Sequence, residues 1–123
     1  AWNTAGTYRV KALSIDSIGL FSGWSSELAV TITSPNRAPN TPSTPTGPTS
    51  GVSGTANSYS TSATDPDGDQ VKYTFDWGDG TTSVTSLVNS GTSASASHTW
   101  SAAGTYQVKA MATDSVGAAS AWS

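Results

Sequence analysis

The chain has 123 residues, 35% hydrophobic and 11% charged, with a net charge of −3 and a pI near 4.6; about a third of it is Ser and Thr. One Glu and five basic residues cannot furnish long helices, which draw on Glu, Lys, Leu and Arg, and this charge balance leaves no electrostatic footprint for nucleic acid or an anionic membrane. Cysteine is absent, which excludes disulfides and thiolate chemistry, and no apolar run approaches the ~20 residues of a membrane span.

Short strands joined by Ser/Thr/Gly/Asn turns are the pattern that remains, so the expected fold class is all-β. Residues 7–16 alternate, with Tyr8, Val10 and Ala12 on one face and Arg9 and Lys11 on the other. Residues 17–25 read as a turn and loop, and residues 27–33, ELAVTIT, as a β-branched strand. Residues 35–50 hold five prolines, which lack the N–H of a central ladder, so this stretch is a semi-extended linker merging into an edge strand. Residues 57–63 are a short strand, and Asp65-Pro66-Asp67-Gly68-Asp69 an acidic turn.

The strongest pattern follows at VKYTFDWGDG, residues 71–80. Val71, Tyr73, Phe75 and Trp77 fall on alternate positions, which puts three aromatics on one face of a strand at the centre of the core. The run stops at Gly78-Asp79-Gly80, where glycines supply the positive φ of a tight hairpin. Strands are further expected over residues 83–88, 93–100 and 104–114, with a turn at Asn89-Ser90-Gly91.

Residues 2–25 align without gaps on residues 100–123, with 14 of 24 positions identical at an offset of 98. Chance does not produce this. The chain therefore reads as about one and a quarter units of a tandem array. Residues 1–34 are the C-terminal strands of a preceding repeat, residues 35–50 the linker and edge strand, and residues 51–123 a domain lacking its own closing strand. Either the chain is a window on a longer array, or the strand at 27–33 completes a sandwich, within one chain or between chains, by strand donation.

FDWGDG at 75–80, HTWSAAGTYQVKAMATDSVG at 98–117 and DPDGD at 65–69 together resemble the polycystic kidney disease (PKD) repeat. The family's usual hairpin is W-D-F-G-D-G; here Phe75 and Trp77 have exchanged places, which keeps the aromatic face. The resemblance implies an immunoglobulin-like β-sandwich, with Gly-Thr-Tyr106 as a tyrosine corner. It also implies an extracellular or cell-surface setting, as in microbial surface-layer proteins, adhesins and spacers of secreted hydrolases. Matched residue by residue to PKD-like domains that bind calcium, the candidate ligands are Asp65, Asp67, Asp114 and Asn36. Carboxylates at alternate positions around a Gly can wrap Ca²⁺, which takes six to eight oxygens. The plainer alternative is an acidic turn whose side chains cap backbone N–H groups, and Asp69 suits both.

Asp76 and Asp79 flank the hairpin, but one lies on the polar face of a strand and the other at the turn, so neither has an acid/base role. His98 is the only histidine and lacks partners for a zinc or triad site. Trp2, Trp24, Trp100 and Trp122 stand at repeat-equivalent positions, where a structural demand or stacking on sugar rings would each place them. The function expected is a non-catalytic structural repeat, a spacer or building block of a surface layer, stalk or fibre. Neighbouring copies of the same repeat are its expected partners, and glycans are a further candidate. The alternative is a carbohydrate-binding or adhesion accessory domain of a secreted hydrolase.

Overall fold

A computed structural model describes all 123 residues, which group into two compact units, Ala1–Pro35 and Asn36–Ser123. There is no helix, and every strand pairing is antiparallel.

In the first unit β1 (Gly6–Val10) pairs with β2 (Leu28–Ile32), with Tyr8 opposite Val30 and Arg9 opposite Ala29. Between them the chain folds back on itself through Asp16 N–H to Leu20 O, Ser22 N–H to Ser14 O and Ser25 N–H to Ala12 O. Tyr8 stacks on Trp2 at 5.3 Å and donates its hydroxyl to Thr4 O. Two strands cannot enclose a core, and Val10, Ile15, Phe21, Trp24 and Leu28 are all exposed. A lone two-stranded ribbon is marginal in water.

The second unit is a sandwich. One sheet pairs β3 (Ala56–Thr61) with β6 (Ala94–Thr99); the other has the order β5 (Thr82–Val84), β4 (Val71–Asp76), β7 (Lys109–Asp114). The Pro-rich stretch lies along β3 as an edge, through Asn40 N–H to Thr64 O, Ser43 N–H to Ser62 O and reciprocal bonds between Thr46 and Ser60. Its prolines fall between these bonded positions, at 42 and 45, where no donor is needed.

The alternation in β4 does what its sequence requires. Val71, Tyr73, Phe75 and Trp77 are fully buried, and Ala110 and Ala112 of β7 join them. Tyr59, Ala94 and Ala96 of the opposite sheet close the core from the other side. Small alanines pack against the large aromatics, Ala110 and Ala112 from the neighbouring strand and Ala94 and Ala96 from the opposite sheet. Phe75 and Trp77 stack at 5.3 Å, and the Trp77 indole N–H finds Ser83 Oγ at 2.9 Å.

Three expected strands are shorter than their alternation implies; the one expected over residues 7–16 is β1 alone, because β2 pairs only with Gly6–Val10. The strand expected over 83–88 is reduced to β5 because Thr85 Oγ1 accepts the Tyr73 N–H while Thr85 N–H bonds to Tyr73 O. A side chain thereby replaces a backbone carbonyl, and regular pairing stops. The strand expected over 104–114 becomes β7 alone. Its repeat-equivalent, β1, is a strand because β2 lies beside it; residues 104–108 have no strand partner.

The two turns that β1 and β7 lead into share most of their contacts. Asp16 Oδ1 accepts the N–H groups of Ile18 and Leu20, and Asp114 Oδ1 those of Val116, Gly117 and Ala118. Lys11 sits over the Trp24 ring at 5.4 Å, and Lys109 over the Trp122 ring at 5.0 Å. Ser25 Oγ accepts from Ala12 N–H just as Ser123 Oγ accepts from Ala110 N–H.

Candidate metal centre

The acidic turn leaves β3 and returns to β4, and Asp65 fixes its shape. Asp65 Oδ1 accepts the N–H groups of Asp67 (2.8 Å) and Asp69 (3.2 Å), and Asp65 O accepts from Gly68 N–H. Gly68 has φ +82°, a conformation that glycine adopts without cost. Ser90 Oγ holds Asp65 N–H from the neighbouring turn. The capping role of an acidic turn is therefore in place.

Capping does not use the whole side chain. Asp65 is only 7% exposed, and its Oδ2 is buried without any hydrogen-bond partner. Ionised carboxylates are acceptors only, and burying one oxygen unpaired is costly. One oxygen from each of Asp65, Asp67 and Asp69 lies within 4.8 Å of the others, a span that one hard cation can bridge. Burial, and then the charges of Asp65, Asp114 and Asp67, push the Asp69 carboxyl above its ordinary value. Negative charge is crowded here, and one Asp65 oxygen is left without a partner. The donor set fits a calcium-like ion.

Asn36 and Asp114 lie together on this side of the sandwich, with Asn36 Nδ2 donating to Asp114 Oδ2 at 2.7 Å. That bond, with the N–H groups of Ala118, Gly117 and Val116, holds the Asp114 carboxyl below its usual range against the effect of burial. Asp114 is thus already engaged through both oxygens, while the triad of close oxygens is Asp65, Asp67 and Asp69. Asp69, which the sequence could place in either role, is a full member of the group.

Arg37 is the residue that sequence reasoning missed. Its backbone N–H bonds Asp67 Oδ2 at 2.6 Å, and its guanidinium reaches Asp67 Oδ1 through Nε (2.9 Å) and Nη2 (2.8 Å). These bonds hold the Asp67 carboxyl below its ordinary value. The only available signal was a cation next to Asn36, ahead of an acidic turn 30 residues away, and a single Arg carries little information.

The hairpin aspartates serve the fold. Asp76 Oδ1 accepts Gly78 N–H, and its Oδ2 lies 3.4 Å from Lys109 Nζ. Asp79 binds Thr81 through both the backbone and the hydroxyl, and its Oδ2 lies 2.7 Å from His98 Nε2. The His98 ring stacks on Trp77 at 4.9 Å. Trp100 packs against the core, donates its indole N–H to Trp77 O and stacks on Tyr106. Trp2, Trp24 and Trp122 are exposed by 47%, 60% and 38%.

Residues 36–123 match the profile of the PKD domain. The chain belongs to the PKD domain family. A solved structure it resembles is the PKD domain of an M14-like peptidase from a Thermoplasmatales archaeon. That domain is 43% identical, with a TM-score of 0.65 over 72% of this chain and 91% of the other. Among curated proteins, none matches this chain. The PKD assignment agrees with the antiparallel sandwich and with Tyr106, whose hydroxyl donates to Ala102 O four residues upstream, as a tyrosine corner does.

Proposed function

We propose that this chain is a non-catalytic extracellular structural repeat, a spacer or building block of a surface layer, stalk or fibre. One observation carries the proposal. The final quarter of the sandwich occurs twice in the chain, and both copies make the same tyrosine-corner, aspartate-turn, lysine–indole and serine contacts. A unit duplicated down to its hydrogen bonds serves repetition. The titratable groups of the hairpin are engaged in turns and ion pairs, which supports a non-catalytic role.

Calcium belongs to the same proposal. Asp65, Asp67 and Asp69 would hold the ion, with Asp114 and Asn36 completing the surround, and it would stiffen the place where the chain enters the sandwich at Asn36. Electron microscopy of the native protein tests the spacer role: a beaded stalk or filament supports it, and isolated globular particles carrying an enzyme count against it.

A second reading has its own support, because the similar solved structure is a domain of a peptidase. On that reading the chain is an accessory domain of a secreted hydrolase, binding carbohydrate or protein through the exposed Trp24 and Trp122. Alanine at both positions would abolish binding to insoluble polysaccharide. Lys11 and Lys109 already cover these rings, which favours the structural role.

A further inference from the structure

We propose that Thr41 and Thr44 carry O-linked sugars, on a ridge of the Pro-rich edge that turns away from the sandwich. The proposal rests on the extracellular setting given above.

From residue 39 to residue 48 a proline stands at every third position, at 39, 42, 45 and 48. Polyproline II has three residues per turn and no internal hydrogen bonds, so this spacing sorts the segment into three ridges. The sandwich uses two of them. Pro39 and Pro42 are buried, and Pro45 is half-buried. Asn40, Ser43 and Thr46 donate their N–H groups to Thr64 O, Ser62 O and Ser60 O. Two of their side chains follow: Asn40 Nδ2 donates to Thr64 Oγ1 at 2.9 Å, and Ser43 Oγ lies 3.1 Å from Thr61 Oγ1. The third ridge is Thr41 and Thr44. Both are exposed, and neither is hydrogen-bonded through its backbone or its hydroxyl.

Each of these threonines precedes a proline, whose ring keeps the preceding residue extended. A transferase that reads an extended acceptor chain can therefore grip either residue without opening the sheet. At Ser43 and Thr46 it would first have to break the bonds to β3. One turn of polyproline II rises about 9 Å, so the two hydroxyls share a side with room between them.

Charge selects the modification. Residues 38–64 contain no charged side chain, and the adjoining Arg37 is held by Asp67. A phosphate on this ridge would find no free cation to dock against, whereas a neutral glycan needs only water on its outer side. The ridge also borders the outward main chain of a sheet edge, which a bulky substituent would keep from pairing with other chains. In the transfer, Thr Oγ1 attacks the anomeric carbon of a glycosyl phosphate donor. The new C–O bond replaces the bond to phosphate, the phosphate leaves with the electron pair, and the hydroxyl proton passes to a base of the transferase.

Site-resolved mass spectrometry of the chain purified from its native host tests this. Sugar masses are expected on Thr41 and Thr44 at roughly fivefold or more the occupancy of Ser43 and Thr46, which share the Pro-rich composition but are engaged by the sheet. Thr41→Val with Thr44→Val should remove those masses without moving sugar onto Ser43 or Thr46. Bare threonines, phosphate in place of sugar, or equal occupancy at residues 41, 43, 44 and 46 would each overturn the proposal. Bare threonines on beaded native stalks would overturn it and leave the spacer role intact. Sugars on Thr41 and Thr44 of an isolated enzyme-bearing particle would uphold it and remove the spacer role instead.

Discussion

Arg37 holds Asp67 through three hydrogen bonds of 2.6 to 2.9 Å, and Asp67 is one of three carboxylates, with Asp65 and Asp69, that each offer an oxygen within 4.8 Å of the others. The same carboxylate is therefore wanted by a fixed cation of the chain and by any cation from solution. Arg37 is 65% exposed along its side chain, so its ion pair adds little stability by itself. Its larger effect is on who may bind.

Calcium at tenfold over its dissociation constant should stabilise the native chain by about 1.4 kcal/mol, raising the melting temperature over an EDTA control by roughly 5–10 °C. Asp65→Asn should abolish the rise, and Arg37→Ala should increase calcium affinity. An identical melting temperature in calcium and EDTA would remove calcium from the proposed function.

Tyr73 makes a second prediction. Its buried hydroxyl accepts Ala63 N–H at 2.9 Å and donates to Thr92 O at 2.9 Å, tying both sheets to the turn after β3. Burial pushes its own ionisation above the ordinary value for tyrosine. Tyr73→Phe leaves a buried N–H and a carbonyl unpaired and should cost about 1–3 kcal/mol. Chemical denaturation at unchanged m-value, with faster amide exchange at Ala63, is the expected readout.

Gly78 and Gly80 separate two kinds of glycine requirement in one hairpin. Both have positive φ, +76° and +87°. A methyl on Gly80 meets open space, whereas one on Gly78 would fall 2.8 Å from Gln107 O and 2.9 Å from Gln107 N. Gly80→Ala should cost only the left-handed backbone penalty, about 1–2 kcal/mol. Gly78→Ala adds a clash with backbone that cannot swing away, so its melting temperature should fall well below that of Gly80→Ala.

Acid should expose the Asp79 contacts. Hydrogen bonds from the Thr81 hydroxyl, and then from His98, hold Asp79 down to about 2, against 3.8 ordinarily. Between these values the unfolded chain binds the proton that the folded chain refuses, so stability rises with pH there. The contribution is complete above about pH 4 and is lost as pH falls toward 2. Asp79→Asn should flatten that part of the stability–pH curve, and an unchanged slope would show that the contacts do not persist in solution.

Much of this was legible in the residues. The period-two run from Val71 to Trp77 announced the core, because burial on one face of a strand leaves no other pattern. The resemblance of DPDGD to a calcium-binding turn located the acidic group. It did not separate Asp114, which Asn36 and the following turn engage, from Asp69, which stands with Asp65 and Asp67. That distinction rests on which backbone N–H groups each carboxylate meets, and such contacts are set by folding of segments far apart in sequence. Thr85 was unreadable for the same reason: a Thr in an alternating run looks like strand until its hydroxyl takes a backbone bond. Residues 104–108 carry a strand sequence without strand structure, because a strand is a relation between two segments.

Asn36 and Arg37, the first two residues of the sandwich, are each bonded to an aspartate of its body, at Asp114 and Asp67. Tension applied through the residues that precede Asn36 would reach these bonds before any sheet pairing. The load passes directly into the end of β7 and the acidic turn, while the edge along β3 stays shielded behind them. Removing either side chain should shift the first rupture event in a pulling experiment from this clip to the peeling of residues 40–46 away from β3.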